Sequence, residues 1–210
     1  MNDTTSSLPS APMPARSEAL RTSTNQTHER LDQTIMRSKP FDSVENYTRF
    51  LRVQHAFHRD VAPLYADPVL AALIPDLASL GRYDQVRADL AALGGVLDDV
   101  MTTAPAAEGL PIPEAFGWLY VVEGSNLGAA ILYKAALKMG LSETHGASHL
   151  AAAPEGRAAH WRHFKEALNA VNLSPEEETC VIVGAEAAFA QVYSYTRTYL
   201  PDPVEFAEDN

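Results

Sequence analysis

Residues 113–140 read PEAFGWLYVVEGSNLGAAILYKAALKMG, and this stretch decides the fold. Pro113 suits the first turn of a helix, Gly140 suits its end, and no proline interrupts the run between them. The spacing predicts one long helix from Pro113 to Met139. Inside it Gly117, Gly124 and Gly128 lie seven and four residues apart and share a face with Val121. Each glycine costs about 1 kcal/mol of helix stability relative to alanine, in a chain that uses alanine at 33 positions. Something must therefore approach that backbone closely. Two readings fit: a second helix packed tightly on the stripe, or a flat ligand lying across it. Ser125 and Asn126 add a hydroxyl and an amide beside the same surface.

Outward from this helix, the same kind of signal repeats. Ser17 to Arg37 forms a helix with Leu20, Thr24, His28, Leu31 and Ile35 along one face, stopped by Pro40. Ser43 caps a second helix whose stripe runs Tyr47, Phe50, Leu51, Gln54, Phe57, His58, Val61 and Tyr65. Asp67-Pro68 opens a short segment to Ile74, and Asp84 to Leu93 is another short helix ended by Gly94-Gly95. Beyond the long helix come a loop from Thr144 to Pro154 and helices over Glu155–Asn172 and Ser174–Leu200, the last opened by Ser174-Pro175-Glu176-Glu177 as a capping box. Period-2 alternation is scarce, so the chain reads as all-α, a compact multi-helix domain over residues 17–200 with seven or eight helices. Residues 1–16 are rich in Ser, Thr and Pro and read as a disordered tail; residues 201–210 read as a frayed acidic one.

The net charge of −11 argues against nucleic acid and anionic membranes as main partners. Single Cys180 can form neither an internal disulfide nor a cysteine-built zinc site, so a reducing cytoplasm fits best. Glycine-rich phosphate loops, GxSxG elbows and Glu-x-x-His pairs are absent from the sequence. The pairs His55/His58 and His160/His163 lack the nearby carboxylates of a hydrolytic zinc site and read as solvated or core-edge residues. His28 is more interesting. A histidine on an apolar face can be a hydrogen-bonded core residue, or a metal ligand. Asp32 stands one turn on, where a carboxylate can fix the tautomer of a ligating imidazole, and Arg21 two turns back can grip an anion. That combination suits an anionic, metal-bearing ligand.

Four segments, LRTSTNQTHERLD, PFDSVENYTRFLRVQHAFHRDVAPLY, WLYVVEGSNLGAAILYK and LNAVNLSPEEE to AFAQVYSY, resemble the haem oxygenases, within them the bacterial biliverdin-producing group associated with bacteriophytochromes. The resemblance runs in order from Leu20 to Leu200. It implies an all-α haem oxygenase-like fold with haem between a proximal and a kinked distal helix. His28 would be the axial metal ligand with Asp32 as its partner, and Gly124 and Gly128 the distal glycines. Arg21 and Lys165 match places where basic side chains approach the haem propionates, Lys134 matches a lysine of some bacterial members, and Phe189 matches a pocket aromatic. Many members carry an aspartate directly after the first distal glycine; here Ser125 and Asn126 take that place, leaving them to position water.

What the resemblance implies is oxygen-dependent cleavage of haem, as cofactor and substrate together, to biliverdin, ferrous iron and carbon monoxide. Molecular oxygen is the co-substrate, and electrons come from an external donor such as ferredoxin or flavodoxin with a reductase. A biliverdin-using bacteriophytochrome is a further expected partner. Two rivals are a non-catalytic haem carrier or sensor, and a thiaminase-like hydrolase of the same architecture that would use Cys180.

Overall fold

A computed structural model describes residues 14–96, 103–153 and 155–200; the expected tails over 1–13 and 201–210 lie outside these. Among the described residues there are eight α-helices and one 3-10 turn: α1 (Arg16–Arg37), α2 (Val44–Ala66), α3 (Pro68–Leu73), α4 (Leu77–Leu80), α5 (Tyr83–Ala92), α6 (Ile112–Lys138), the turn Ser148–Leu150, α7 (Arg157–Ala170) and α8 (Pro175–Tyr199). The expected caps are in place. Ser43 accepts from the Asn46 amide, Asp67 from those of Val69 and Leu70, and Ser174 and Glu177 form the reciprocal box. The sequence pattern left α4 and the 3-10 turn as loop, because neither is long enough to show a period.

Helix α8 is the platform of the fold, packing against α6, α1 and α2. Its closest neighbour is α6, and the contact is made by glycines on both sides. A Cβ on Gly117 would lie under 3.0 Å from the Val181 carbonyl and the Ala185 amide, and one on Gly184 under 3.0 Å from the backbone of Glu114. The three-glycine stripe of α6 therefore divides: Gly117 serves helix packing, and the ligand reading is left to Gly124 and Gly128.

Helix α1 also lies on α8, and its first residue fastens it there. Arg16 is only 6% exposed. It pairs with Glu178 at 2.8 Å, donates to the carbonyls of Leu168 and Val171, and stacks its guanidinium 5.8 Å from the Phe116 ring centroid. A buried cation needs this full set of acceptors. The tail expected to reach residue 16 thus ends before it, and Arg16 belongs to the domain. The reason it was misplaced is plain: an arginine beside a Ser/Pro-rich segment gives no local sign that its acceptors are on α7 and α8.

Gly117→Ala should lower unfolding stability by about 1–3 kcal/mol, since the clash is with backbone rather than with a flexible side chain. Chemical denaturation checks this, with Gly128→Ala as the companion that should not lose stability.

Candidate functional site

The beginnings of α1 and α6 are neighbours: Arg16 lies over Phe116 and the Arg21 charge acts on Tyr120. Carried on at the rise of an α-helix, that register would bring His28, seven residues past Arg21, to the level of Leu127, seven past Tyr120. Both helices pack on α8 and α7 but have little backbone contact with each other.

His28 was weighed as a core histidine or a ligand; its side chain is 55% exposed, so the core reading fails. Leu20, Thr24 and Leu31 hold α1 in the core while His28 sits at the edge of that stripe. Its Nδ1 faces the Asp32 carboxylate at 3.5 Å, and the ring stands edge-on to buried Phe189 of α8, centroids 6.1 Å apart. Asp32 is itself exposed. With Nδ1 turned to the carboxylate, Nε2 is the nitrogen left to bind a metal.

On α6, a Cβ on Gly128 would meet no atom within 4 Å, and one on Gly124 would meet only the Trp161 ring at ordinary contact distance. Leu127 and Ile131 beside them are among the exposed large hydrophobics, Ile131 at 75%. An open glycine surface flanked by exposed apolar side chains fits a flat apolar ring system. Ser125 is exposed and donates to the Val122 carbonyl at 2.7 Å, whereas Asn126 is buried and donates to Glu123 at 3.2 Å. The two do not form a joint polar surface. Only Ser125 is open to solvent.

The cationic residues divide between the two ends. Arg21, paired with Glu18 at 3.4 Å, and Lys165, 5.6 Å from the Trp161 centroid, flank one aromatic group in which Tyr120 and Trp161 lie 5.3 Å apart. Lys134 is exposed and fourteen residues past Tyr120, about 21 Å along α6. Arg21 and Lys165 are thus brought together, and Lys134 is not.

Sequence reasoning missed a buried polar layer behind α6. Glu123 is fully buried and accepts from Tyr65 at 2.5 Å, His160 Nε2 at 2.8 Å and Asn126. Farther along, Asp89 accepts from the His149 ring at 2.7 Å and from the Ser148 and His149 amides. Arg82 donates to the His149 and Ala151 carbonyls. His55, His58 and His160, read from sequence as solvated or core-edge, are buried, and His58 Nδ1 and His149 Nε2 have no hydrogen-bond partner among the described residues. Burial, with the neighbouring charges of His149, Arg82 and His55, pushes His58 down to about 3. Burial likewise lowers His149, against the raising pull of Asp89. Asp89 is pushed up by burial, but its hydrogen bonds from His149 and Ser148 prevail and hold it below the usual range. A signal did exist: Glu123 follows two valines on a helix otherwise apolar, and an acid there must find donors or leave the core.

The chain matches the family model described as heme oxygenase over residues 15–197. It is 43% identical over 174 residues to heme oxygenase PigA of Pseudomonas aeruginosa, covering 83% of this chain and 87% of that one. The chain belongs to the haem oxygenase family. Among solved structures, the NO- and CO-bound heme oxygenase of Neisseria meningitidis superposes with a TM-score of 0.85 at 40% identity, covering 92% of this chain and 96% of that one. The heme oxygenase of Leptospira interrogans, at 16% identity and TM-score 0.66, shares the fold; it covers 88% of this chain and all of that one.

The buried histidines of this haem oxygenase give opposite pH signatures. His58 and His149 have lowered values, so the folded state resists their protonation, and stability falls as pH drops below about 6.5, by up to about 1.4 kcal/mol per pH unit for each. His160 is raised, first by its hydrogen bond to Glu123. Its contribution is fully present below about 6.5 and is lost as pH rises through its folded value. Denaturation of the haem-free protein from pH 5 to 9 should show His58→Gln flattening the acid limb and His160→Gln flattening the alkaline one.

Proposed function

We propose that haem enters the gap between α1 and α6 and is opened there to biliverdin, iron and carbon monoxide with dioxygen and external electrons. The observation that carries this is a half-exposed His28 imidazole beside Asp32 on α1, together with an α6 surface that has no side chain at Gly128 and exposed Leu127 and Ile131 beside it. Bound haem supplies both the iron that activates oxygen and the ring that is attacked.

The chain supplies seating, tautomer and access. Asp32, 3.5 Å from Nδ1 of His28, would leave Nε2 to hold the haem iron. Phe189 keeps the ring upright by its edge-on contact. Gly124 and Gly128 leave room for a small diatomic between the ring and the α6 backbone. Ser125, donating to the Val122 carbonyl, keeps its acceptor lone pairs for a water on that surface and stands in for the aspartate seen in many family members. Arg21 and Lys165 at one end, and Lys134 at the other, offer positive charge to propionates in a protein whose net charge is −11. The choice between the two ends sets which edge of the ring lies under the glycines.

Electrons come from outside, from ferredoxin or flavodoxin with a reductase, since the sequence has no dinucleotide fingerprint of its own. No helix among the described residues is long and apolar enough to cross a membrane. A cytoplasmic site of action, supplying a biliverdin-using bacteriophytochrome, fits the single cysteine and this electron supply. Cys180 is exposed on α8, and nothing around it favours the hydrolase alternative.

His28→Ala should lose the ferric Soret spectrum and turnover, and added imidazole should restore part of both; an unchanged spectrum would contradict the assignment. Gly128→Ala should leave haem-free stability equal or up to about 1 kcal/mol higher while lowering biliverdin yield. Gly128→Leu should block the site. Arg21→Ala with Lys165→Ala should shift the ratio of biliverdin isomers one way and Lys134→Ala the other, each with only modest loss of affinity. Product chromatography reads that ratio, and oxygen uptake with biliverdin absorbance separates turnover from mere haem carriage.

A further inference from the structure

The first turn of α7 grips α6 at the segment that bears the open glycines. Arg157, His160 and Trp161 are spaced i, i+3, i+4 and therefore share one face of α7. They meet α6 between residues 123 and 126. Arg157 Nη1 donates to the Asn126 carbonyl at 3.0 Å, His160 Nε2 bonds the Glu123 carboxylate at 2.8 Å, and the Trp161 ring lies 3.5 Å from where a Gly124 Cβ would stand. The second Arg157 nitrogen bonds the Leu150 carbonyl, which ties the grip to the 3-10 turn.

A carbonyl in mid-helix ordinarily accepts from the amide four residues on, here that of Ala130. A guanidinium placed on the same oxygen competes with that bond, and side-chain insertion into the ladder is one of the few causes of a helix bend. The Arg157 bond falls at residue 126, midway between Gly124 and Gly128, where glycines make a helix easiest to bend.

We propose that Arg157 and His160 are positioning residues for haem cleavage: from the first turn of α7 they set the path of the α6 backbone between Gly124 and Gly128, and through it the space above the haem. The inference rests on the reading of that segment as the haem-facing surface. His160 is suited to the task because acidic groups flank both its ring nitrogens, Glu123 from α6 at 2.8 Å and Glu155 from the preceding loop at 3.4 Å. Around this pair stand Tyr65 of α2, which shares the Glu123 carboxylate, Arg82 before α5, whose charge acts on Tyr65 and which in turn feels Glu123, and His163 of α7, whose charge acts on Glu155. The Glu123 hydrogen bond first, and Glu155 with it, raise His160 against the lowering effect of burial, so protonation of the ring strengthens the hold of α7 on α6.

The test uses the full chain loaded with haem. Arg157→Met removes both hydrogen bonds but keeps the aliphatic stem; Arg157→Lys keeps one charge and reaches one carbonyl; His160→Gln keeps a donor for Glu123 and loses the charge. Two quantities are read: the acid–alkaline transition of the ferric complex by visible spectrum, and the biliverdin isomer ratio. Arg157→Met should move the transition by at least half a pH unit and change the isomer ratio at least threefold, with Arg157→Lys intermediate. His160→Gln should move the transition in the same direction. If Arg157→Met does not fold, Arg157→Lys and His160→Gln decide the matter by the same readouts. Variants that lose thermal stability but keep the wild-type transition and isomer ratio would show a purely structural bond and overturn the proposal. Should Gly128→Leu bind and cleave haem normally, it is the haem-facing reading of α6 that fails; a defective Gly128→Leu beside unaffected Arg157 and His160 variants condemns the positioning role alone.

Discussion

The close crossing of α6 on α8, made possible by Gly117 and Gly184, is the constraint from which the site follows. Each glycine admits the other helix's backbone where a Cβ would come under 3.0 Å. With α6 pressed this near to α8 at its N-terminal end, and α1 fastened to the same helix by buried Arg16, the two helices share one platform while making little backbone contact with each other.

That division explains why one stripe of glycines can do two jobs. At Gly117 the absent side chain is replaced by protein, and the lost helix propensity is offset by burial between α6 and α8. At Gly128 no atom of the described protein lies within 4 Å of the missing Cβ. A surface left bare in that way, with Ile131 and Leu127 exposed beside it, is unfavourable in water unless something covers it. Under the proposed function that cover is haem.

Much of this was legible in the sequence because it is carried by local rules. Ser43, Asp67 and Ser174 announced their helices through capping, Gly140 announced the end of α6, and three glycines in an alanine-rich helix announced close approach. His28, Asp32 and Arg21 stood out through helical spacing alone. What could not be read depends on partners far apart in the chain. Arg16 finds its acceptors on α7 and α8, more than 150 residues away. Glu123 is tolerated in the core because Tyr65 and His160 come to it from α2 and α7. The division of the glycine stripe belongs to the same class, since spacing places Gly117, Gly124 and Gly128 on one face but says nothing of which neighbour covers each. Asn126, grouped with Ser125 by adjacency, turned inward for the same reason: consecutive residues of a helix point about 100° apart.

The proposed arrangement is haem between α1 and α6, with its metal on His28 and its other face on the Gly124–Gly128 backbone. A crystal structure of the ferric haem complex tests it most directly. It should show iron bonded to His28 Nε2 with Nδ1 still turned to Asp32, and the opposite face of the ring against Gly124 and Gly128. Iron bonded to any other residue, or a ring lying away from the glycine segment, would contradict it.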